Sequence, residues 1–155
     1  MEKETKEALI ENIQYRNKLA QIRGDSLSLS DAKETDLWIE GWFSVLFGKY
    51  KEAKEKLAVL KELKEKKKDP SALFGYNGLM GMVSLGEGEA NKALNFLNLA
   101  NPNDIYIMYQ KALAFRAVGN REEAEKILGN IANLNFSSWE VAILKNQAKT
   151  ALLRL

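Results

Sequence analysis

The stretch that decides the fold reads Gly88-Glu89-Ala90-Asn91-Lys92-Ala93, and the chain contains two further versions of it. These are Gly48-Lys49-Tyr50-Lys51-Glu52-Ala53 and Gly119-Asn120-Arg121-Glu122-Glu123-Ala124. In each version a glycine ends one predicted helix, and an alanine stands five residues later inside the next. The small alanine side chain lets two helices approach closely, and glycine tolerates the positive φ of the turn. The pattern predicts helix–turn–helix units in succession.

Helical spacing of apolar residues extends outward from these turns in both directions. We predict helices over residues 2–23, 31–48, 50–67, 71–85, 90–99, 105–118, 122–133 and 137–155. Two of them begin at capping-box patterns, Asp31 with Glu34 and Ser137 with Glu140. Residues 26–30 alternate Ser and Leu like a strand, but no partner strand is predicted, so we interpret them as a loop. The fold class is therefore all-α.

A second spacing accompanies the three turns. Seven residues before each turn glycine stands a small residue, and four residues after each alanine stands a leucine. The small residues are Gly41, Gly81 and Ala112, and the leucines are Leu57, Leu97 and Leu128. This frame resembles the tetratricopeptide repeat, whose pattern is W-x2-L-G-x2-Y, then A-x3-F, then P. The third copy adds Phe115 at the tyrosine position and Phe136 at the proline position.

The resemblance covers residues 34–136 and implies an α-helical repeat. Its antiparallel helix-turn-helix pairs would stack as a short right-handed solenoid with extra N- and C-terminal helices. We expect a single domain over 1–155, with an N-terminal helix and loop (1–30), three repeats (34–136) and a C-terminal capping helix (137–155). The first helix is either a cap or the second helix of a truncated upstream repeat. The turn alanines are 40 and 31 residues apart, against a family period of 34, so we expect an irregular stack.

Composition excludes several classes of chemistry. The 155 residues contain no Cys and no His, which excludes disulfides, thiol nucleophiles, catalytic imidazoles and His-based metal sites. A net charge of +2, with 15 basic and 13 acidic residues over 1–68 and eight of each over 69–155, excludes a strong field for nucleic acid. Gly86-x-Gly88 lacks the strand that a dinucleotide site needs. We predict a non-enzyme with no cofactor and no metal.

Targeting features are also missing from the sequence as it stands. No stretch reaches the length of about 18 apolar residues that a membrane span needs, and no apolar signal-peptide core follows Met1. We therefore expect a cytoplasmic chain without membrane contact, either as an independent protein or as a piece of a larger or exported one.

The candidate site is a concave groove, which the resemblance places along the first helix of each repeat. The predicted ligand-binding residues are Trp38, Trp42, Gly75, Gly78, Met82, Tyr106, Tyr109 and Arg116. Gly75 and Gly78 would form the floor, at a cost of about 0.5–1 kcal/mol each relative to Ala in a helix, with Trp and Tyr walls on either side. Alternatively, the N-terminal helix or a crossing helix fills the space, and the aromatics, like Met82, belong to the core.

Aromatic anchors around a concavity suit the capture of a protein or peptide segment. Family members that bind C-terminal carboxylates use Lys and Asn side chains on the groove, and that clamp is missing here. The sequence thus predicts a non-catalytic protein–protein interaction module whose partner is a protein or peptide. The alternative is a structural terminal domain that packs against the rest of a larger protein or self-associates as a homodimer.

Overall fold

Helices account for most of the chain in the computed structural model, which describes residues 2–67, 69–135 and 138–154. Within these ranges there are eight α-helices, one short 3-10 helix at Pro70–Leu73 and no strands. The α-helices are α1 (Glu2–Arg23), α2 (Ser26–Leu46), α3 (Tyr50–Glu65), α4 (Phe74–Gly86), α5 (Ala90–Asn98), α6 (Ile105–Ala117), α7 (Arg121–Ala132) and α8 (Trp139–Leu152). Neighbouring helices pack in consecutive pairs, which confirms the predicted all-α helical-repeat class.

The chain divides into two compact units, residues 1–79 and 80–155. In the N-terminal unit, α2 packs against both α1 and α3. In the C-terminal unit, α6 packs against α5 and α7, and α8 packs against α7 and α6. The single domain over 1–155 stays a prediction.

The predicted loop over residues 26–30 is wrong, because α2 begins at Ser26. The helix start is set by Asp25, whose carboxylate accepts hydrogen bonds from the Ser28 backbone N–H and the Ser28 hydroxyl, both at 2.7 Å. Asp25 thereby satisfies a backbone donor that a helix end leaves unpaired. Asp31, the predicted cap, lies inside the helix.

The other boundaries agree with the predicted ones within a few residues. The segment after Asp69 differs in the type of helix: a 3-10 helix over Pro70–Leu73 precedes α4, where an α-helix is predicted from residue 71. At the last helix, Ser137 and Phe136 lie outside the described residues, as does the side chain of Glu140. The observed cap of α8 is Ser138, whose hydroxyl oxygen accepts the Val141 N–H at 3.2 Å.

The repeat frame forms the contacts between paired helices. A Cβ built on Gly41 would lie 3.3 Å from Leu57 Cδ2, and one built on Gly81 would lie 2.5 Å from Leu97 Cγ. Ala112 and Leu128 share a core cluster in the third copy. The turn alanines Ala53, Ala93 and Ala124 are fully buried. The small residue of each frame therefore makes room for the leucine of the next helix.

Gly88 allows a test of the turns, because its φ is +82° and a Cβ there would meet nothing within 4 Å. We expect Gly88→Ala to lower the free energy of unfolding by about 1 kcal/mol, purely through the left-handed backbone. The matched control is Gly129→Ala, where the added Cβ also meets nothing but the backbone is helical. That change should stabilise by about 0.5–1 kcal/mol. Urea titrations in which the two variants shift the midpoint in the same direction would contradict this account.

Candidate functional site

A concave surface lies within the C-terminal unit, between α6 and α8. It has a volume of about 560 Å³. Helix α6 contributes Tyr106, Tyr109, Gln110, Leu113 and Arg116, and the other wall consists of Asn146, Gln147, Thr150, Ala151 and Arg154. We call this surface the α6–α8 groove.

Local sequence explains why α6 presents these side chains together. The Asp104 carboxylate accepts the backbone N–H groups of Tyr106 at 2.8 Å and Ile107 at 3.3 Å, which sets the helix start. From there the lining residues recur every three or four positions and share one face of the helix. Ala112 and Ala114, which do not line the groove, are fully buried.

The wall formed by α8 is positioned by the packing of its buried face, as the α6 wall is. Leu144 and Ala148 of α8 are buried in a cluster with Leu128 and Ile131 of α7. Helix α7 thus packs against both α6 and α8, and its apolar face fixes the separation of the two groove walls. The groove is therefore built on rigid elements, as suits recognition of a defined ligand.

Tyr106 is the groove residue whose protonation the environment changes. Burial raises the pKa of its phenol above the ordinary 10.0, and a hydrogen bond with the Gln110 side chain opposes this only in part. The neutral phenol is therefore favoured in the folded chain.

The ionisation of the tyrosines can be followed by near-ultraviolet absorbance in wild type and in Tyr106→Phe. We expect the difference between the two titrations, which is the signal of Tyr106, to have its midpoint above pH 10.0. The pKa of Tyr106 is higher in the folded chain than in the unfolded chain. The stability that this phenol contributes is therefore fully present below the unfolded pKa. It is lost as pH rises through the folded pKa. A missing component with a midpoint at or below the ordinary value would contradict the burial of this phenol.

The structure brings together one group of the predicted site residues. Tyr106, Tyr109 and Arg116 line the α6–α8 groove, each in the position projected for the first helix of the third repeat. Met82 does not share such a surface, because it is 8% exposed and belongs to the core. Methionine commonly fills irregular gaps in cores.

The remaining predicted residues lie in the N-terminal unit. The indoles of Trp38 and Trp42 are parallel, with ring centroids 6.3 Å apart and planes 4° apart, and each side chain is 37% exposed. A Cβ on Gly75 would lie 2.9 Å from Cδ1 and Nε1 of Trp38, so Gly75 is a close-packing glycine. Gly78 is buried. A pocket that combines the tryptophans with the tyrosines stays a prediction.

Helix α1 occupies part of the surface projected for the first repeat. A small groove of about 260 Å³ between α1 and α2 includes Thr35, which precedes Trp38 by about one helical turn. Asn17 of α1 donates to the Asp36 carboxylate at 2.8 Å, and Arg16 lies 3.7 Å from the same carboxylate. The first helix therefore packs along α2.

Sequence reasoning missed the α8 wall of the groove. The sequence predicts only a capping helix there, although Asn146 or Gln147, then Thr150 and Arg154, follow one another at three to four residues and form a polar stripe. A polar stripe on a helix usually marks its solvent-exposed face. The stripe on α8 indicates a groove wall only because α6 lies opposite it in the structure.

Comparison with protein-family models, with curated proteins and with solved structures yields no match to this chain. Among the helices that the structure describes, none combines the length and the apolar character required to cross a membrane.

Proposed function

We propose that this chain is a non-catalytic, tetratricopeptide-like interaction module that binds a segment of a protein partner in the α6–α8 groove. The observation that supports this most directly is the groove itself, in which two tyrosines stand beside Gln110, Asn146 and Gln147. Tyrosine gives large contact area with a polar tip, and amide side chains both donate and accept hydrogen bonds. Such a lining suits a peptide backbone. The proposed site of action is the cytoplasm.

Filling the groove tests the proposal. Thr150 is exposed on the α8 wall, and Thr150→Trp would place an indole in the space that a partner segment needs. The matched control is Lys126→Trp, an exposed position on α7 that does not line the groove. Immobilised wild type and both variants are compared for the proteins they retain from the source lysate.

We expect proteins that wild type and Lys126→Trp retain and that Thr150→Trp loses. Circular dichroism of the three chains establishes that each is equally helical. Equal retention by all three chains would contradict binding in this groove.

A second candidate role, self-association or packing against the rest of a larger chain, is favoured by the first two helices. Apolar side chains are exposed along α1 and the start of α2, namely Ile10, Tyr15, Leu19, Ile22, Leu27 and Leu29. Light scattering tests self-association. A dimer that Ile22→Asp converts to monomer would support it, and a wild-type monomer at all concentrations would contradict it.

A further inference from the structure

We infer that the α6–α8 groove selects an acidic peptide segment, one with Asp or Glu side chains next to an apolar residue. This rests on the proposed function and names the chemistry of the partner. The first observation is the composition of the walls. The ten lining residues include Arg116 and Arg154 and no carboxylate.

The positive charge of this surface arises because basic and acidic residues are unevenly distributed along the C-terminal half of the chain. Residues 105–117, which form α6, and residues 141–154, which follow Glu140 of α8, contain no Asp or Glu; their basic residues are Lys111, Arg116, Lys145, Lys149 and Arg154. Over residues 69–155 the eight basic side chains are balanced by eight acidic ones, and of these acids Glu140, the second residue of α8, is the one that lies on a groove helix. Three of them, Glu122, Glu123 and Glu125, lie on α7. The excess of basic residues is therefore local to α6 and to residues 141–154, which include the groove-lining part of α8.

The two arginines are available to a ligand. Both are exposed, and neither forms an ion pair with a carboxylate among the residues that the structure describes. By contrast, Lys145 donates to the Leu134 carbonyl at 2.7 Å. A guanidinium offers a planar fork of donors that matches the two oxygens of a carboxylate.

The other lining residues favour a peptide as the carrier of that carboxylate. Gln110, Asn146 and Gln147 can pair with both the N–H and C=O groups of an extended backbone, and the Tyr106 and Tyr109 rings offer apolar faces. A phosphate backbone is a poorer match, because two arginines do not form the continuous basic track that nucleic acid requires.

The test is selection of a phage-displayed library of random peptides on the immobilised 155-residue chain. The comparison variant is Arg116→Glu/Arg154→Glu. The matched control is Arg121→Glu/Lys126→Glu, which makes the same net charge change at exposed positions of α7. An enriched peptide is then synthesised, and its Kd for each chain is measured by fluorescence anisotropy at low and high salt.

We expect enriched peptides that are more acidic than the input library. Their Kd should rise by about tenfold or more in Arg116→Glu/Arg154→Glu, by less than about threefold in the α7 control, and with increasing salt. Binding of the peptide by the Thr150→Trp variant should be lost as well, because that change fills the groove.

Other outcomes overturn the inference in distinguishable ways. Enrichment of neutral or basic peptides that Thr150→Trp no longer binds would retain the proposed function and overturn the acidic partner. If both charge variants weaken peptide binding equally, the inference is also overturned, because the net charge of the chain would then explain the binding without Arg116 and Arg154 in the groove. A single-stranded oligonucleotide that displaces the peptide and binds more tightly would overturn the peptide partner in favour of nucleic acid. No enrichment of any peptide would overturn both proposals.

Discussion

Replacing Lys64 and Lys67 with Met together should lower the free energy of unfolding by about 3 kcal/mol, because Glu34 would stay buried without its partners. Glu34 is 3% exposed, and its Oε2 atom lies 2.7 Å from the Nζ atoms of both lysines. One further hydrogen bond comes from the Ser30 hydroxyl at 3.3 Å. Methionine keeps much of the length of lysine but removes the charge.

Two further variants separate this effect from a general change of charge. Lys51→Met/Lys66→Met removes the same net charge from exposed positions on and just after α3, and should cost less than about 1 kcal/mol. Adding Glu34→Leu to Lys64→Met/Lys67→Met should recover most of the lost stability, since no buried charge is left. Urea unfolding followed by circular dichroism measures all three.

The pH dependence gives an independent check. Burial raises the pKa of Glu34, but the hydrogen bonds and charges of Lys64 and Lys67 outweigh it, and the pKa lies below the ordinary 4.5. The wild-type contribution is therefore present above 4.5 and is lost as pH falls through the folded pKa. In Lys64→Met/Lys67→Met the two lysines no longer oppose burial, so the pKa of Glu34 rises and the loss of stability relative to wild type should shrink as pH falls. A deficit that does not change with pH would contradict the role of Glu34.

Leu97→Ala should lower the free energy of unfolding by about 3 kcal/mol, because the side chain is 1% exposed and its removal leaves a cavity between α4 and α5. Gly81→Ala should cost about 1–2 kcal/mol by itself, because the added Cβ overpacks this contact by more than helix propensity gains. That Cβ would lie 2.5 Å from Leu97 Cγ and 2.7 Å from Cδ2.

The double variant Gly81→Ala/Leu97→Ala tests whether these two positions act through each other. The methyl group added at Gly81 would enter space that Leu97 vacates, so the combined loss should fall short of the sum by about 1 kcal/mol. The corresponding pair in the first copy is the control. Gly41→Ala should cost less than Gly81→Ala, since its Cβ would lie 3.3 Å from Leu57 Cδ2 rather than 2.5 Å from a leucine Cγ. Strict additivity at Gly81 and Leu97 would contradict the close contact.

The helical pairing could be predicted because its signals are local. A turn glycine, an alanine five residues on and a leucine four residues after that describe one turn and one helix face; the glycines have the expected positive φ, and the alanines and leucines are buried. Residues 26–30 could not be predicted, since alternating Ser and Leu fits more than one conformation until the Asp25 cap selects a helix. Glu34 was placed at a helix start, and its actual partners lie about thirty residues further along the chain.

The site was only partly predictable for the same reason. The α6 residues of the groove follow from their position in a repeated helix, whereas the α8 wall depends on where a non-repeat helix packs. Glycine spacing suggested an unusual surface around Gly75, but it could not show that the Trp38 indole occupies the adjoining space.

The stacked Trp38 and Trp42 indoles have an optical consequence. Both lie in the N-terminal unit, and the third tryptophan of the chain, Trp139, lies in the C-terminal unit. In a Trp139→Phe variant, tryptophan emission would therefore report on residues 1–79 alone, while circular dichroism would report on all helices. Superimposable denaturation curves from the two signals would identify the chain as one cooperative folding unit.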